Sequence, residues 1–325
     1  MEATIDPGRW LDFVGKEYLE SFIKDGGASV KFAVTLEDSL RSDVELGVQE
    51  RARSGGYIAA HVSSAETRVH MIDQVFFCIA DQIPWRKLSE IVIVKLAMEK
   101  GYVEPIAPGS ESLSLRLAGS NSIDPGLLTM EARRWIADKV FKERSLVKDF
   151  RTAATQLCLA ELAGGQDGAT TVEVMTDWLT GRNKSVSAVK PYQIYSRITR
   201  TNARYLLESL LRWIRFAGYP GLVVTIDLSR LTIARNPRDE SLFYSRAQLL
   251  DAYELLRQFV DLTDRLKGCF IVAMPSADFL DVEPSPPARG IGVYDALKFR
   301  VYDEVHDQRL VNPMGALIRL RTQEI

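Results

Sequence analysis

Two continuous apolar runs, Leu222-Val223-Val224-Thr225-Ile226-Asp227 and Cys269-Phe270-Ile271-Val272-Ala273-Met274, constrain this chain more than any other feature. A strand that alternates apolar and polar residues can leave one face in water, whereas a strand apolar at nearly every position must be covered on both. Strands of that kind belong in a parallel sheet with helices on each side. Each run follows a segment of helical period and a glycine stop: Gly218-Tyr219-Pro220-Gly221 before the first, Lys267-Gly268 before the second. The helical segments cover about 193 to 216, where Ala203, Leu206, Leu207, Leu210, Trp213 and Ile214 define one buried face, and about 245 to 266.

The same grammar opens the chain. Gly26-Gly27 leads into a strand over 29–34, a helix is expected over about 36–54, Gly55-Gly56 ends it, and 57–63 reads as a second strand. Strand, helix and strand make a βαβ unit with a parallel crossover. Helical patterns follow at about 66–83 and 86–100, a Pro-, Gly- and Ser-rich loop at 104–125, a further helix at 129–163 and a break at Gly164–Gly168. A loop over 283–292, a helix near 294–301 and a last strand at 316–321 close the sequence. The expected fold is α/β, a parallel sheet covered by helices with a helical insertion. Residues 1–103 and 218–325 supply its core, and 104–217 form the insertion.

With a formal net charge of -2 over 325 residues, the molecule is not a polyelectrolyte, so nucleic-acid binding would need a local patch. Cys78, Cys158 and Cys269 lie far apart in apolar runs, which fits neither a zinc site nor a disulfide framework. The opening MEATIDPGRWLDFV has no basic start or apolar block, and no apolar stretch reaches the roughly 20 residues that span a bilayer. A cytoplasmic location without a membrane partner is expected.

In parallel α/β sheets, ligands bind beyond the carboxyl ends of strands. A phosphate-binding loop there reads G-x-x-x-x-G-K-[ST]: glycines let backbone amides converge on phosphate, the lysine neutralises charge and the hydroxyl holds magnesium. The stretch after the first strand is Thr35-Leu36-Glu37-Asp38-Ser39-Leu40-Arg41-Ser42. Thr35 and Leu40 stand in the glycine positions, Glu37 and Asp38 would repel a polyanion, and Arg41 cannot take over a lysine's compact place. Asp227 ends its strand where a magnesium-holding acid would sit, with Ser42 as the hydroxyl that would share the ion if nucleotide bound. The next position, where a glutamate would orient water, is Leu228. Two readings stay open on these residues alone: an ordinary turn with Asp227 as a cap, or a degenerate nucleotide site with weak ATP and magnesium binding.

Arg197, Arg200, Arg204 and Arg215 would share a narrow sector of one long helix, a stripe for phosphate, nucleic acid or an acidic partner. Because exposed aromatics do not interleave with it in this reading, nucleic acid is not the favoured partner. His61, His70 and His306 show no metal spacing, and neither Ser39 nor Ser42 has a local base.

Taken in order, several segments resemble the BREX-system ATP-binding-domain family, P-loop proteins of bacterial antiphage defence clusters. These are Phe22-Ile23-Lys24-Asp25-Gly26-Gly27, Trp178-Leu179-Thr180-Gly181-Arg182, Ile198-Thr199-Arg200-Thr201-Asn202-Ala203, Gly218-Tyr219-Pro220-Gly221-Leu222, Tyr294-Asp295-Ala296-Leu297 with Arg300, and Arg309 with Asn312-Pro313. The resemblance implies a P-loop NTPase-like fold of the ASCE and AAA+ kind. It also implies other defence proteins as partners, among them an active P-loop relative or further copies of this chain. Similar proteins carry an intact Gly-rich loop with Lys-Ser and an Asp-Glu pair, where this sequence has Leu40-Arg41-Ser42 and Asp227-Leu228. The expectation is therefore a catalytically impaired scaffold or regulatory subunit with no catalytic residue and no resident cofactor; the alternative is a working ATP-binding protein or ATPase with a divergent P-loop, in which Arg41, Ser42 and Asp227 still contact nucleotide and magnesium. A winged-helix extension seen in similar proteins has no counterpart after Leu320, so DNA binding by that route is not expected.

Overall fold

The computed structural model describes residues 3–105, 111–183, 185–233, 243–302 and 312–322. Arg309, His306 and part of the 104–125 loop lie outside them. In chain order the elements are α1 (Pro7–Phe13), β1 (Ala28–Thr35), α2 (Leu40–Ser54), β2 (Ile58–Ser63), α3 (Ile72–Asp81), α4 (Trp85–Glu99), α5 (Leu113–Asn121), α6 (Pro125–Ile136), α7 (Lys148–Ala163), α8 (Gly165–Leu179) and α9 (Ala203–Phe216). Then come β3 (Leu222–Asp227), α10 (Ser229–Thr232), α11 (Arg246–Asp261), β4 (Cys269–Met274), α12 (Asp295–Val301) and β5 (Leu317–Leu320). Two compact units result: residues 1–79 with 219–325, and residues 80–218.

The first unit is built on the five strands, all parallel, in the order β2-β3-β4-β1-β5. The two apolar runs are β3 and β4, side by side in its interior, as their burial on both faces requires. On one face α1, α2 and the π-helical segment Val14–Phe22 cover the sheet. Trp10, Val14, Val44 and Val48 pack there against Ala33, Val223, Phe270 and Val272. Each large apolar side chain so buried contributes about 1.5–3 kcal/mol. Gly221 sits where a Cβ would lie 1.8 Å from the Gly268 carbonyl oxygen, so the glycine stop before β3 is a close backbone approach. The architecture is the expected P-loop NTPase-like α/β sheet.

Residues that carried the family resemblance also tie α12 to α11. Tyr294 donates its hydroxyl to Glu254 at 2.6 Å, Arg257 holds Glu254 through two nitrogens, and Arg300 pairs with Asp261. The Arg257 guanidinium pulls the Glu254 carboxyl down to about 2.

The second unit has helices and no strand among its described residues. Its tightest joint is the turn Gly164-Gly165, both with positive φ, which folds α8 back onto α7; a Cβ on Gly168 would lie 2.6 Å from the Ala160 carbonyl oxygen. The sequence pattern predicts one helix over 129–163. The chain instead forms α6, a π-helical piece Ala137–Phe141 and α7, because Ser145 and its neighbours turn before Val147. Helix α5 lies inside the stretch read as loop.

The helix expected over 193–216 begins only at Ala203. Gln193 adopts φ 65, and Asn202 binds backward, accepting from Thr199 N at 2.8 Å and donating to Arg197 O at 2.9 Å. Helical hydrogen bonds cannot pass through that fold-back.

Candidate functional site

The carboxyl ends of β1 and β3 open on the same edge of the sheet with β4 between them, two strand spacings or about 10 Å apart. Thr35, the last residue of β1, is 1% exposed, and its register partner is Leu320 of β5. Leu36 N continues that ladder to Leu320 O at 2.9 Å. The chain then turns through 36–39 into α2, with Leu40 N on Glu37 O at 3.1 Å and Arg41 N on Asp38 O at 3.3 Å. No residue of this turn has a positive φ. Two of the amides that a phosphate cradle would present are spent on carbonyls of their own turn.

The side chains follow the same rule. Arg41 pairs with Asp38 at 2.5 Å, its side chain largely covered while that of Asp38 is exposed. Glu37 faces Arg321 at 3.9 Å. Ser42 is exposed on α2 and Leu40 is half-buried at its start. Thr35 Oγ1 and Arg41 Nε are buried and have no hydrogen-bond partner among the described residues.

At the end of β3, Asp227 accepts from Ser229 N at 2.9 Å through Oδ1 and from Ser229 Oγ at 3.1 Å through Oδ2. This is a local turn that starts α10, since an Asp side chain two residues back satisfies an amide the short helix leaves open. Leu228 N reaches Met274 O at 3.0 Å, and its side chain, 1% exposed, lines a small apolar cavity with Val69, Val75, Ile226, Leu256 and Phe259. The position that would carry the water-orienting acid belongs to the hydrophobic core.

Sequence reasoning missed a polar cluster one layer below. Glu45 and Gln49 of α2 meet His61 of β2 and Thr225 of β3. His61 Nδ1 lies 2.6 Å from Glu45 Oε1 and 3.2 Å from Thr225 Oγ1, and Gln49 Nε2 donates to Thr225 Oγ1 at 3.1 Å. Arg53 extends the row by donating to Gln49 at 2.7 Å. The Glu45 carboxylate raises the His61 pKa above its ordinary value. The signal in the sequence was the i, i+4, i+8 polar row Glu45, Gln49, Arg53 on a helix otherwise packed on the sheet.

Of the four arginines assigned to one helical stripe, Arg204 and Arg215 lie in α9, eleven residues apart and therefore on nearly the same face. Arg197 and Arg200 do not; they occupy the irregular segment before it. Among the described residues no group of three or more His, Cys, Asp or Glu side chains could hold a metal ion, and no helix is long and apolar enough to cross a membrane. Cys158 and Cys269 are buried free thiols pushed up to about 12 by desolvation, far from a reactive thiolate.

The strand ends lack the glycines, the lysine and the second acid of an intact magnesium-ATP site. Side chains stand where glycines are needed, Asp227 is engaged by Ser229, Leu228 is in the core, and Glu37 and Asp38 border the turn.

Comparison with known families matches a model described as BREX system ATP-binding protein BrxC/D over residues 131–324, more than half of the chain. The matched segment takes in β3, β4 and β5 and starts downstream of the β1 turn. No curated protein and no solved structure matches.

Proposed function

The chain belongs to the BREX system ATP-binding protein BrxC/D family, and from that premise we propose that it is a catalytically impaired member acting in the cytoplasm as a scaffold or regulatory subunit of a bacterial antiphage defence complex. The observation that carries this reading is the joint occupation of the strand ends. Asp227 serves as a turn cap, and Leu228 is a core residue rather than a displaced catalytic one. A site that had merely lost one acid would keep the other free for metal; here both positions have structural employment. Its partners in this reading are other proteins of the defence system, including an active P-loop relative.

Purified protein should turn over no ATP above background, and Asp227→Ala should leave that background unchanged. Turnover at ordinary NTPase rates, on the order of 1 per second or faster, that disappears in Asp227→Ala overturns the proposal. Co-purification from cells expressing the whole system tests the scaffold role, with a chain that migrates alone as the adverse result.

A second reading, weak nucleotide binding without hydrolysis, is favoured by one observation. Thr35 Oγ1 and Arg41 Nε are buried donors without acceptors among the described residues, at the place where a phosphate would lie. A ligand that binds only the folded state raises the melting temperature increasingly as its concentration exceeds Kd. Millimolar ATP with magnesium should then shift the melt of the wild type and not of Arg41→Ala; no shift removes this reading and leaves the first intact.

A further inference from the structure

Between the turn at Gln193 and α9 the backbone forms neither helix nor strand, and its side chains sort sharply. Ile194 and Ile198 are buried at 0% and 7% exposure, which anchors the segment. Tyr195, Arg197, Thr199, Arg200 and Thr201 face water, Tyr195 with 63% of its surface exposed. The Asn202 side chain, bonded to Arg197 O and Thr199 N, folds this stretch against the first turn of α9, where Arg204 and Tyr205 sit. The Arg204 guanidinium lies 5.2 Å from the Tyr205 ring centroid, and its Nε is buried without an acceptor among the described residues. Tyr205 itself is 39% exposed.

The charges here are not neutralised by the described residues. Elsewhere in the same unit Arg182 is shared between Asp81 and Asp177, Arg116 holds Glu90 and Arg86 holds Glu161. Arg197 and Arg200 make no ion pair among the described residues. The acid bonded to this segment, Asp149, accepts the hydroxyl of Ser196 instead. The amino end of α9 adds its own positive potential to the three guanidinium groups.

We propose that Tyr195, Arg197, Arg200, Arg204 and Tyr205 form a contact surface for single-stranded nucleic acid. Guanidinium groups grip phosphate through charge-assisted hydrogen bonds, and the exposed rings of Tyr195 and Tyr205, which flank the three arginines in sequence, stack on bases that a duplex would keep buried. That pairing selects a single strand over a duplex, and it selects nucleic acid over an acidic peptide, whose carboxylates would use the arginines and leave the rings idle. The surface lies within the helical unit and does not depend on the state of the nucleotide site.

Fluorescence anisotropy of the full chain with a labelled DNA strand of about 20 nucleotides, the RNA of the same sequence and the corresponding DNA duplex tests the assignment. The expected result is binding to the single strands whose log K falls linearly with log salt, with a slope near about −2 for three phosphate contacts at about 0.7 each. Arg197→Ala, Arg200→Ala and Arg204→Ala together should flatten that slope and weaken binding at least tenfold. Tyr195→Ala should weaken it about tenfold with the slope unchanged, and Tyr195→Phe should restore it, because stacking needs the ring and not the hydroxyl. The DNA and RNA arms show which sugar is preferred. Duplex binding as tight as single-strand binding, no binding at about 50 mM salt, or single-strand binding indifferent to the arginine substitutions overturns the proposal. So does competition by polyglutamate combined with a silent Tyr195→Ala, which would assign the surface to an acidic protein. Should the triple variant fail to fold by circular dichroism, the Tyr195→Ala and Tyr195→Phe pair decides the matter from one exposed side chain.

Discussion

At the carboxyl ends of β1 and β3 charged side chains are spent on the protein itself: Asp227 on Ser229 and Arg41 on Asp38. Along the segment before α9, Arg197 and Arg200 have no such partner among the described residues, and Tyr195, two residues before Arg197, stands in water. The first region sits where a P-loop fold does its chemistry, the second where the sequence reads as an arginine stripe along one long helix. Residue type alone does not locate function; both hydrogen bonds that the Asp227 carboxylate accepts among the described residues come from Ser229, two positions on. The contrast between engaged and available groups can be broken by substitution and by pH.

The largest effect is expected from restoring the missing acid. Leu228→Glu puts a carboxylate into an apolar cavity under α11, where no described group offers it a partner, so it should destabilise the fold by about 4 kcal/mol and produce no hydrolysis. A thermal melt should fall by on the order of 10 °C. A variant that melts like the wild type and turns over ATP would break the comparison, because the position would then be a vacant catalytic one.

Lys31 is a cation tied into the fold far more deeply. It is 4% exposed in β1, donates to Met314 O at 2.5 Å and Gly315 O at 2.9 Å, and lies 4.8 Å from the Tyr18 ring centroid. Burial lowers its pKa from 10.5 to about 8. The unfolded chain therefore binds the proton more tightly, and the sign follows: stability should rise as pH climbs from about 8 to 10.5, by about 2–3 kcal/mol. Urea melts across that range check it, with Lys31→Met as the reference that lacks the slope. An equal slope in both proteins would mean the ammonium is solvated.

His61 should give a smaller effect of opposite direction. Glu45 raises its pKa, so the pair contributes fully below the unfolded value of 6.5, and the contribution is lost as pH rises through the folded value. With both side chains partly exposed, His61→Gln should cost about 1 kcal/mol at about pH 5.5 and progressively less as pH is raised. A cost independent of pH would leave only the Thr225 hydrogen bond to explain the cluster.

The sheet was legible because burial on both faces writes itself into consecutive residues: β3 falls on the run read from the sequence, and so does β4. The approach of Gly221 to Gly268 was legible only as a stop, since a missing Cβ does not say what it makes room for. Asp227 and Leu228 were readable as residues but not as contacts. Whether an acid caps its own turn depends on Ser229, two positions on, and the core role of Leu228 depends on α11, far along the chain. The start of α9 misled because Ile194 and Ile198 keep helical spacing into a segment that Asn202 and the positive φ of Gln193 unwind. The helical unit begins at Ala80, within α3, where the apolar pattern runs on without a mark.

The smallest expected effect on the fold is the most informative about that second region. Arg197→Ala with Arg200→Ala removes two exposed guanidinium groups that touch no described acid, so the melting temperature should stay within the shift that about 0.5 kcal/mol produces. The same change at an arginine already holding an acid is a control within the same unit. Arg116 holds Glu90 at 2.6 Å with 15% of its side chain exposed, and Arg116→Ala should cost about 1–2 kcal/mol because it strips packing as well as charge. If the paired substitution costs as much as Arg116→Ala, Arg197 and Arg200 are structural after all and the contrast with the strand ends disappears. If it costs nothing, the two guanidinium groups are available to a ligand, as the strand-end charges are not.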